Sequence, residues 1–102
     1  MLPVPTETIP ALIIIDMQNF FFQKPGRSEG LEQVIENINS LTAAFDAQGC
    51  PVVHAVSAYR PDGADWDLKM RVAGTPELIA GSLEAQILPA IQVRPGHLQV
   101  VK

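Results

Sequence analysis

Residues 11–22 read ALIIIDMQNFFF, and the fold of the chain turns on how that stretch is taken. Leu12, Ile13, Ile14 and Ile15 are consecutive and apolar, so a strand built from them is expected to bury both faces, as parallel strands do. Periodicity alone leaves a helix open for so short a run. Three β-branched residues in succession, Pro10 just before and a change of pattern just after decide for the strand, over about 11–16. The run ends at Asp16. Ligands of open parallel α/β sheets sit outside the carboxyl ends of the strands, which puts Asp16 where chemistry is usually done. The competing reading is a carboxylate that caps the next turn or pairs with a nearby base, because a bare charge beside such a run is costly.

Outward from that strand, residues 1–10 hold three prolines and read as an extended lead-in. Residues 17–26 form a loop carrying Gln18, Asn19 and the aromatic trio Phe20, Phe21 and Phe22, closed by Lys24-Pro25-Gly26 turn chemistry. A helix is expected from about Glu29 to Gln48. Leu31, Val34, Ile35, Ile38, Leu41 and Phe45 recur at helical spacing, with Asn37, Asn39, Ser40 and Asp46 off the stripe. Ser28 suits its N-cap, Glu29 and Glu32 its dipole, and Gly49 its left-handed close. Residues 51–57, PVVHAVS, read as a second strand, and strand–helix–strand implies parallel pairing with a right-handed crossover. A polar loop, YRPDGADWD, follows at 59–67; Gly74, Pro76 and Gly81 interrupt every periodic run across 69–82; and 83–91 fits a short helix or a turn and a half. Arg94-Pro95-Gly96 turns into a third strand, HLQVV, with Lys102 at its carboxyl end. In the order 1-2-3, the most apolar strand would be left as an exposed edge, prone to association.

The composition bounds the function classes. The chain has 102 residues, enough for one modest domain, with nearly half of them hydrophobic and under a fifth charged, as in globular proteins. A net charge of −4 without Lys/Arg clusters argues against a nucleic-acid partner. No apolar stretch approaches the ~20 residues of a membrane span, and the start lacks the features of a signal peptide, so a cytoplasmic location without membrane attachment is expected. The single cysteine, Cys50, can form no internal disulfide. Neither the P-loop frame nor G-x-G-x-x-G occurs, which disfavours a dinucleotide-binding domain despite the strand–helix–strand pattern.

Taken in order, ALIIIDMQNFFF, AAFDAQGCPVVHAV, YRPDGADWD, VAGTPELI and PGHLQVVK resemble the isochorismatase-like cysteine hydrolases, a family that includes nicotinamidases and N-carbamoyl amidohydrolases. The resemblance covers essentially the whole chain, with motifs specific in combination and weak singly. It implies an α/β fold of three layers around a mostly parallel, Rossmann-like sheet, of which a single domain over 1–102 holds the first half. It implies an Asp–Lys–Cys triad in which the Asp closes the first strand within a DMQN-like motif, here Asp16, and the Lys follows a VVK-like motif, here Lys102. The family cysteine, which comes much later at a helix N-terminus, has no counterpart; Cys50 precedes the second strand, belongs at the opposite edge of the sheet and reads as a small buried hydrophobe.

The expected activity is therefore hydrolysis of a C–N bond in a small amide or carbamoyl compound, with this chain alone inactive. The alternatives are a non-catalytic α/β module and the family branch that cleaves a vinyl ether. No cofactor is expected. The expected partners are a small-molecule substrate and either further copies of the chain or a complementing C-terminal segment. Arg60, Trp66 and Arg71 are candidates to line the substrate pocket, because loops at that edge of the sheet usually do. Phe22 and its aromatic neighbours are candidates for its wall, with Phe20 standing where the family commonly has an acidic residue. The nicotinamidases hold a metal through a D-x-H pair after the second strand. The matching stretch here starts Ser57-Ala58-Tyr59 and has no histidine, which points to the metal-free amidohydrolases. Asp62, Asp65 and Asp67 lack the spacing of a calcium loop.

Overall fold

A computed structural model describes residues 8–102, so the lead-in expected over 1–10 lies largely outside the described residues. The elements run β1 (Leu12–Ile15), a 3-10 turn (Asn19–Phe22), α1 (Leu31–Ala47), β2 (Val52–Val56), α2 (Leu68–Ala73) and β3 (Leu98–Val101). The β-branched runs form the strands as expected, and the crossover through α1 makes β1 and β2 parallel, with Ile14 beside His54 and Ile15 beside Ala55. β3 adds to the far side of β2, also parallel, with His54 beside Gln99 and Val56 beside Val101. The order is β1-β2-β3, so β1 is an edge among the described residues.

Side chains alternate across a sheet, and the two faces meet different fates. On one face Ile14, Val52, His54 and Val56 are buried, and α1 packs against β1 and β2 there. On the other, Ile13 and Ile15 are 58% and 56% exposed, against 6% for Ile14 between them. The register puts Val53, Ala55, Leu98 and Val100 on that same bare face, and Leu98 and Val100 are also exposed. The expectation that LIII buries both faces is thus corrected. Of the three expected layers the described residues supply two, the sheet and the helical layer on one side. A contiguous apolar face of this kind marks a contact surface rather than a solvent surface.

α1 starts later than the expected Glu29. Its N-cap is Gly30 at φ 74° and makes no side-chain cap; Ser28, placed there by sequence, only accepts the Leu31 N–H at its carbonyl. The far end follows expectation. Gly49 is left-handed at φ 69°, its N–H donates to the Asp46 carbonyl and the Cys50 N–H to the Phe45 carbonyl, which closes the helix with a Schellman motif. The inward line of α1 runs through half-buried Leu31, Ile35, Ile38 and Phe45 and fully buried Thr42, while Val34 and Leu41 turn outward. Two residues read as off-stripe dock the end of the chain. Asn39 donates to the Ala90 carbonyl at 2.9 Å and accepts the Gln92 N–H at 3.0 Å, and Asp46 meets His97.

The stretch 69–82, unassigned from sequence, opens with α2. Asp67 caps this helix by accepting the Met70 N–H, and Gly74 ends it in the left-handed region at φ 66°. Residues 83–91, open between a short helix and a turn and a half, form turns. They are tied to the stretch after β1 by an isolated antiparallel bridge from Gln18 to Ile87.

Candidate active site

β1 ends because Asp16 leaves the extended region: its φ is 59°, while its N–H still donates to the Ala55 carbonyl at 2.9 Å. Asp visits the left-handed region more readily than most residues, yet holding a non-glycine residue there costs of order 1–3 kcal/mol. The carboxylate meets the ends of both other strands. The Ser57 hydroxyl, just past β2, donates to Oδ1 at 3.2 Å. Lys102, just past β3, brings its Nζ to 3.1 Å from each carboxylate oxygen. The Lys102 N–H donates to the Val56 carbonyl at 2.9 Å, so the backbone carrying the ammonium is fixed to β2.

The two charged side chains are 46% and 32% exposed for Lys102 and Asp16. A pair that wet contributes about 0–1 kcal/mol to stability. It does not outweigh the strain at Asp16, so stability is no sufficient reason for the arrangement. Strained residues of this kind cluster at functional sites.

Gln18 supports the site from beneath. It is fully buried; its amide donates to the Ser57 and Ala85 carbonyls, both at 2.7 Å, and its Oε1 accepts the Ser57 N–H at 2.9 Å. One side chain thereby locks the end of β2, the source of the Asp16 partner, to the stretch after β1 and to residues 83–88. Next to it, Asn19 donates through its side chain to the Leu83 carbonyl at 2.8 Å. Sequence reading gave Ser57 and Gln18 no role. The signal for Ser57 was the one used for Asp16, a polar residue closing an apolar parallel strand; Gln18 carries no comparable signal.

The other expected site residues, Phe22, Arg60, Trp66 and Arg71, lie on the 3-10 turn, the 59–67 loop and α2. Arg60 pairs with Asp62, and its carbonyl accepts the Trp66 indole N–H at 2.7 Å. Arg71 donates to the carbonyls of Gly63, Ala64 and Trp66 at 2.9–3.1 Å. Gly63, at φ 80°, lies against the Trp66 ring, where a Cβ would come within 3.4 Å of it. These side chains fold the 59–74 loop on itself. Phe22 ends the 3-10 turn, and Phe20 and Phe21 make an edge-to-face pair at 5.3 Å. A cleft of about 420 Å³ lies on the α1 side of the sheet, lined by Val56, Ala58, Ala85, Gln99 and Val101 among others; neither Asp16 nor Lys102 lines it. Tyr59, whose hydroxyl reaches Asp67 at 3.4 Å, has its phenol pKa pushed up by burial and then by Asp67. Cys50 lies in the α1–β2 joint, at the amino edge of a parallel sheet whose carboxyl edge bears Asp16.

The profile of the Isochorismatase domain family matches residues 10–102. The chain belongs to that family. Among solved structures it is similar to an isochorismatase family protein from Desulfovibrio vulgaris subsp. vulgaris str. Hildenborough, at 35% identity and TM-score 0.72, over 90% of this chain and 51% of that one. N-carbamoylsarcosine amidase from Thermoplasma acidophilum matches at 23% identity and TM-score 0.71, over 93% of this chain and 52% of that one. The zinc complex of pyrazinamidase from Pyrococcus horikoshii matches at 20% identity and TM-score 0.65, over 90% and 50%. At those two identities the likeness speaks for the fold alone. No curated protein matches. The chain spans about half the length of these solved relatives. Among the described residues no helix of this isochorismatase-domain chain is long and apolar enough to cross a membrane.

Proposed function

We propose that this chain supplies two members of the catalytic triad of a cysteine hydrolase cleaving the C–N bond of a small amide or carbamoyl compound. Asp16 is the proton carrier and Lys102 the cation beside it. The observation that carries the reading is the Lys102 ammonium at 3.1 Å from both oxygens of a carboxylate held in a strained conformation. A general base works best next to groups that fix its geometry, and a fixed cation stabilises charge that develops on a carbonyl oxygen.

The nucleophile is a cysteine thiol carried by polypeptide other than residues 8–102, since Cys50 lies at the wrong edge. Asp16 takes the thiol proton as sulfur attacks the carbonyl carbon. It passes that proton to the leaving nitrogen as the C–N bond breaks, giving an amine or ammonia and a thioester. Water then adds to the thioester, Asp16 takes its proton and returns it to the departing sulfur, and the products are a carboxylic acid and the free thiol. The polypeptide bearing the cysteine seats on the bare sheet face and along the free edge of β1, through Ile13, Ile15, Leu98 and Val100. Phe22 at the end of the 3-10 turn, Arg60 and Trp66 in the 59–67 loop and Arg71 on α2 flank the substrate in this reading.

The experiment is ammonia release from a panel of small primary amides and N-carbamoyl compounds by the assembled hydrolase, meaning this chain together with the cysteine-bearing part. Lys102→Ala is expected to lower kcat by about 10²–10³-fold, as removal of an oxyanion-stabilising group does. An unchanged rate would sink the assignment of Lys102.

A further inference from the structure

At the amino edge of the sheet, away from Asp16, three ionisable side chains form a continuous hydrogen-bonded chain. His97 Nε2 lies 3.0 and 3.1 Å from the two carboxylate oxygens of Asp46 on α1. His97 Nδ1 lies 3.0 Å from His54 Nε2 on β2, and it also accepts the Arg94 backbone N–H at 3.2 Å. The Arg94 guanidinium reaches Asp46 at 3.5 Å. Asp46 and Arg94 are the charged groups whose contacts reach the pair, from α1 and from the loop before β3. β1 presents Ile14 beside His54, and β3 presents Gln99.

The donors fix the protonation. A backbone N–H only donates, so His97 Nδ1 is a bare acceptor and the ring proton sits on Nε2, facing Asp46. His54 must then donate from Nε2 to that same Nδ1. Its own Nδ1 is left as a lone pair, buried and without a partner. The hydrogen bonds linking Asp46, His97 and His54 are all made only while both rings are neutral. A proton on His54 Nδ1 would add a buried donor with no acceptor, and one on His97 Nδ1 would face two donors already in place.

The cluster holds the residue that leads into β3. All four residues of that strand are exposed, and among the described residues it has a sheet neighbour only in β2. The side chain of His97, the residue before it, is by contrast 3% exposed and ties the start of the strand to α1 and β2. The other end of β3 carries Lys102.

We propose that Asp46, His97 and His54 are positioning residues for Lys102: with both imidazoles neutral, the cluster ties the start of β3 to α1 and β2, and mild acid releases it. That Lys102 acts in catalysis rests on the proposed function; the anchoring of β3 does not. The sign follows from burial, which together with the nearby His97 lowers the His54 pKa from 6.5. The unfolded chain then binds more protons than the folded one as pH falls below 6.5, so the anchoring is complete above that value and lost beneath it.

Amide hydrogen exchange and imidazole ¹⁵N shifts of the full chain test this without any assay of hydrolysis. Between about pH 7.5 and 5.5, protection factors of the Leu98–Val101 amides are expected to fall more than those of β1 with β2, by up to about tenfold. The shifts are expected to show both rings protonated at Nε2 in the neutral protein, with His54 titrating below 6.5. His54→Leu removes the buried lone pair and leaves His97 Nδ1 its Arg94 partner, so it is expected to lessen the response of β3 protection to this pH change. Should that variant fail to fold, the wild-type shifts still decide. His54 titrating at or above its ordinary value, or β3 protection tracking that of β1 and β2, would overturn the proposal. Loss of the Lys102→Ala effect on hydrolysis would instead strike the proposed function and leave the anchor standing.

Discussion

Asp16→Asn in the assembled hydrolase is expected to lower amide hydrolysis by at least about a hundredfold while leaving the fold in place, because general acid–base groups contribute about 10²–10⁴-fold. The replacement separates structure from chemistry at this position. Asn tolerates the left-handed backbone at φ 59°, keeps a side-chain oxygen for the Ser57 hydroxyl and keeps the main-chain N–H that donates to Ala55. What it removes is the charge facing Lys102 and the ability to carry a proton. The lost ion pair is wet enough to cost no more than about 1 kcal/mol. Parallel turnover assays and urea titrations check both halves of the expectation. Wild-type turnover by this variant would refute the role of Asp16, and collapse of the fold would refute the claim that its contacts are secondary to stability.

Gln18→Leu is the reverse case, a change of little direct chemistry and large structural effect. Leucine matches the buried volume approximately but satisfies none of the three groups that Gln18 holds, the Ser57 N–H and the carbonyls of Ser57 and Ala85. Leaving a buried polar group unpaired costs about 1–3 kcal/mol each, and partial access of water to the two carbonyls lowers the sum, so a loss of about 2–4 kcal/mol is expected from urea unfolding. The loss is expected to be accompanied by reduced exchange protection at Asn19 and Phe20, whose N–H groups donate to the Gln86 and Glu84 carbonyls. A destabilisation under about 1 kcal/mol would mean that the clamp on Ser57 is not built as described.

Much of this was legible in the amino-acid sequence, for identifiable reasons. Hydrophobic run length, β-branching and the helical stripe located three strands and α1, and the parallel connection then put Asp16 and Lys102 on one edge without any reference to contacts. Asp16 showed because a charge at the end of LIII contradicts its neighbours. The burial of β1 was misjudged because periodicity reports what a segment needs, not what the rest of the chain provides: Ile13 and Ile15 call for a cover that α1, on the other face, does not give. Asn39 and Asp46 fall off the apolar stripe, and their docking is not legible there, because a polar residue on a helix looks the same whether it meets water or a loop from 51 residues away. Ser28 lost the cap to Gly30 because the turns that begin at Lys24 run on through it. The segment 75–91 resisted reading for a physical reason too. It is held by side chain to main chain bonds, such as the Glu84 carboxylate accepting the N–H of Leu78 at φ 51°, which leave no period in the sequence.

The central claim is that residues 8–102 hold the proton carrier and the cation of a triad whose sulfur lies elsewhere. Intact-mass analysis of the assembled hydrolase, quenched during turnover of a slow amide substrate and followed by peptide mapping, tests it most directly. The predicted result is an acyl adduct on a cysteine outside residues 8–102, with Cys50 unmodified and the adduct absent from Asp16→Asn. An acyl group on Cys50, or an adduct that forms at the same rate without the Asp16 carboxylate, would contradict it.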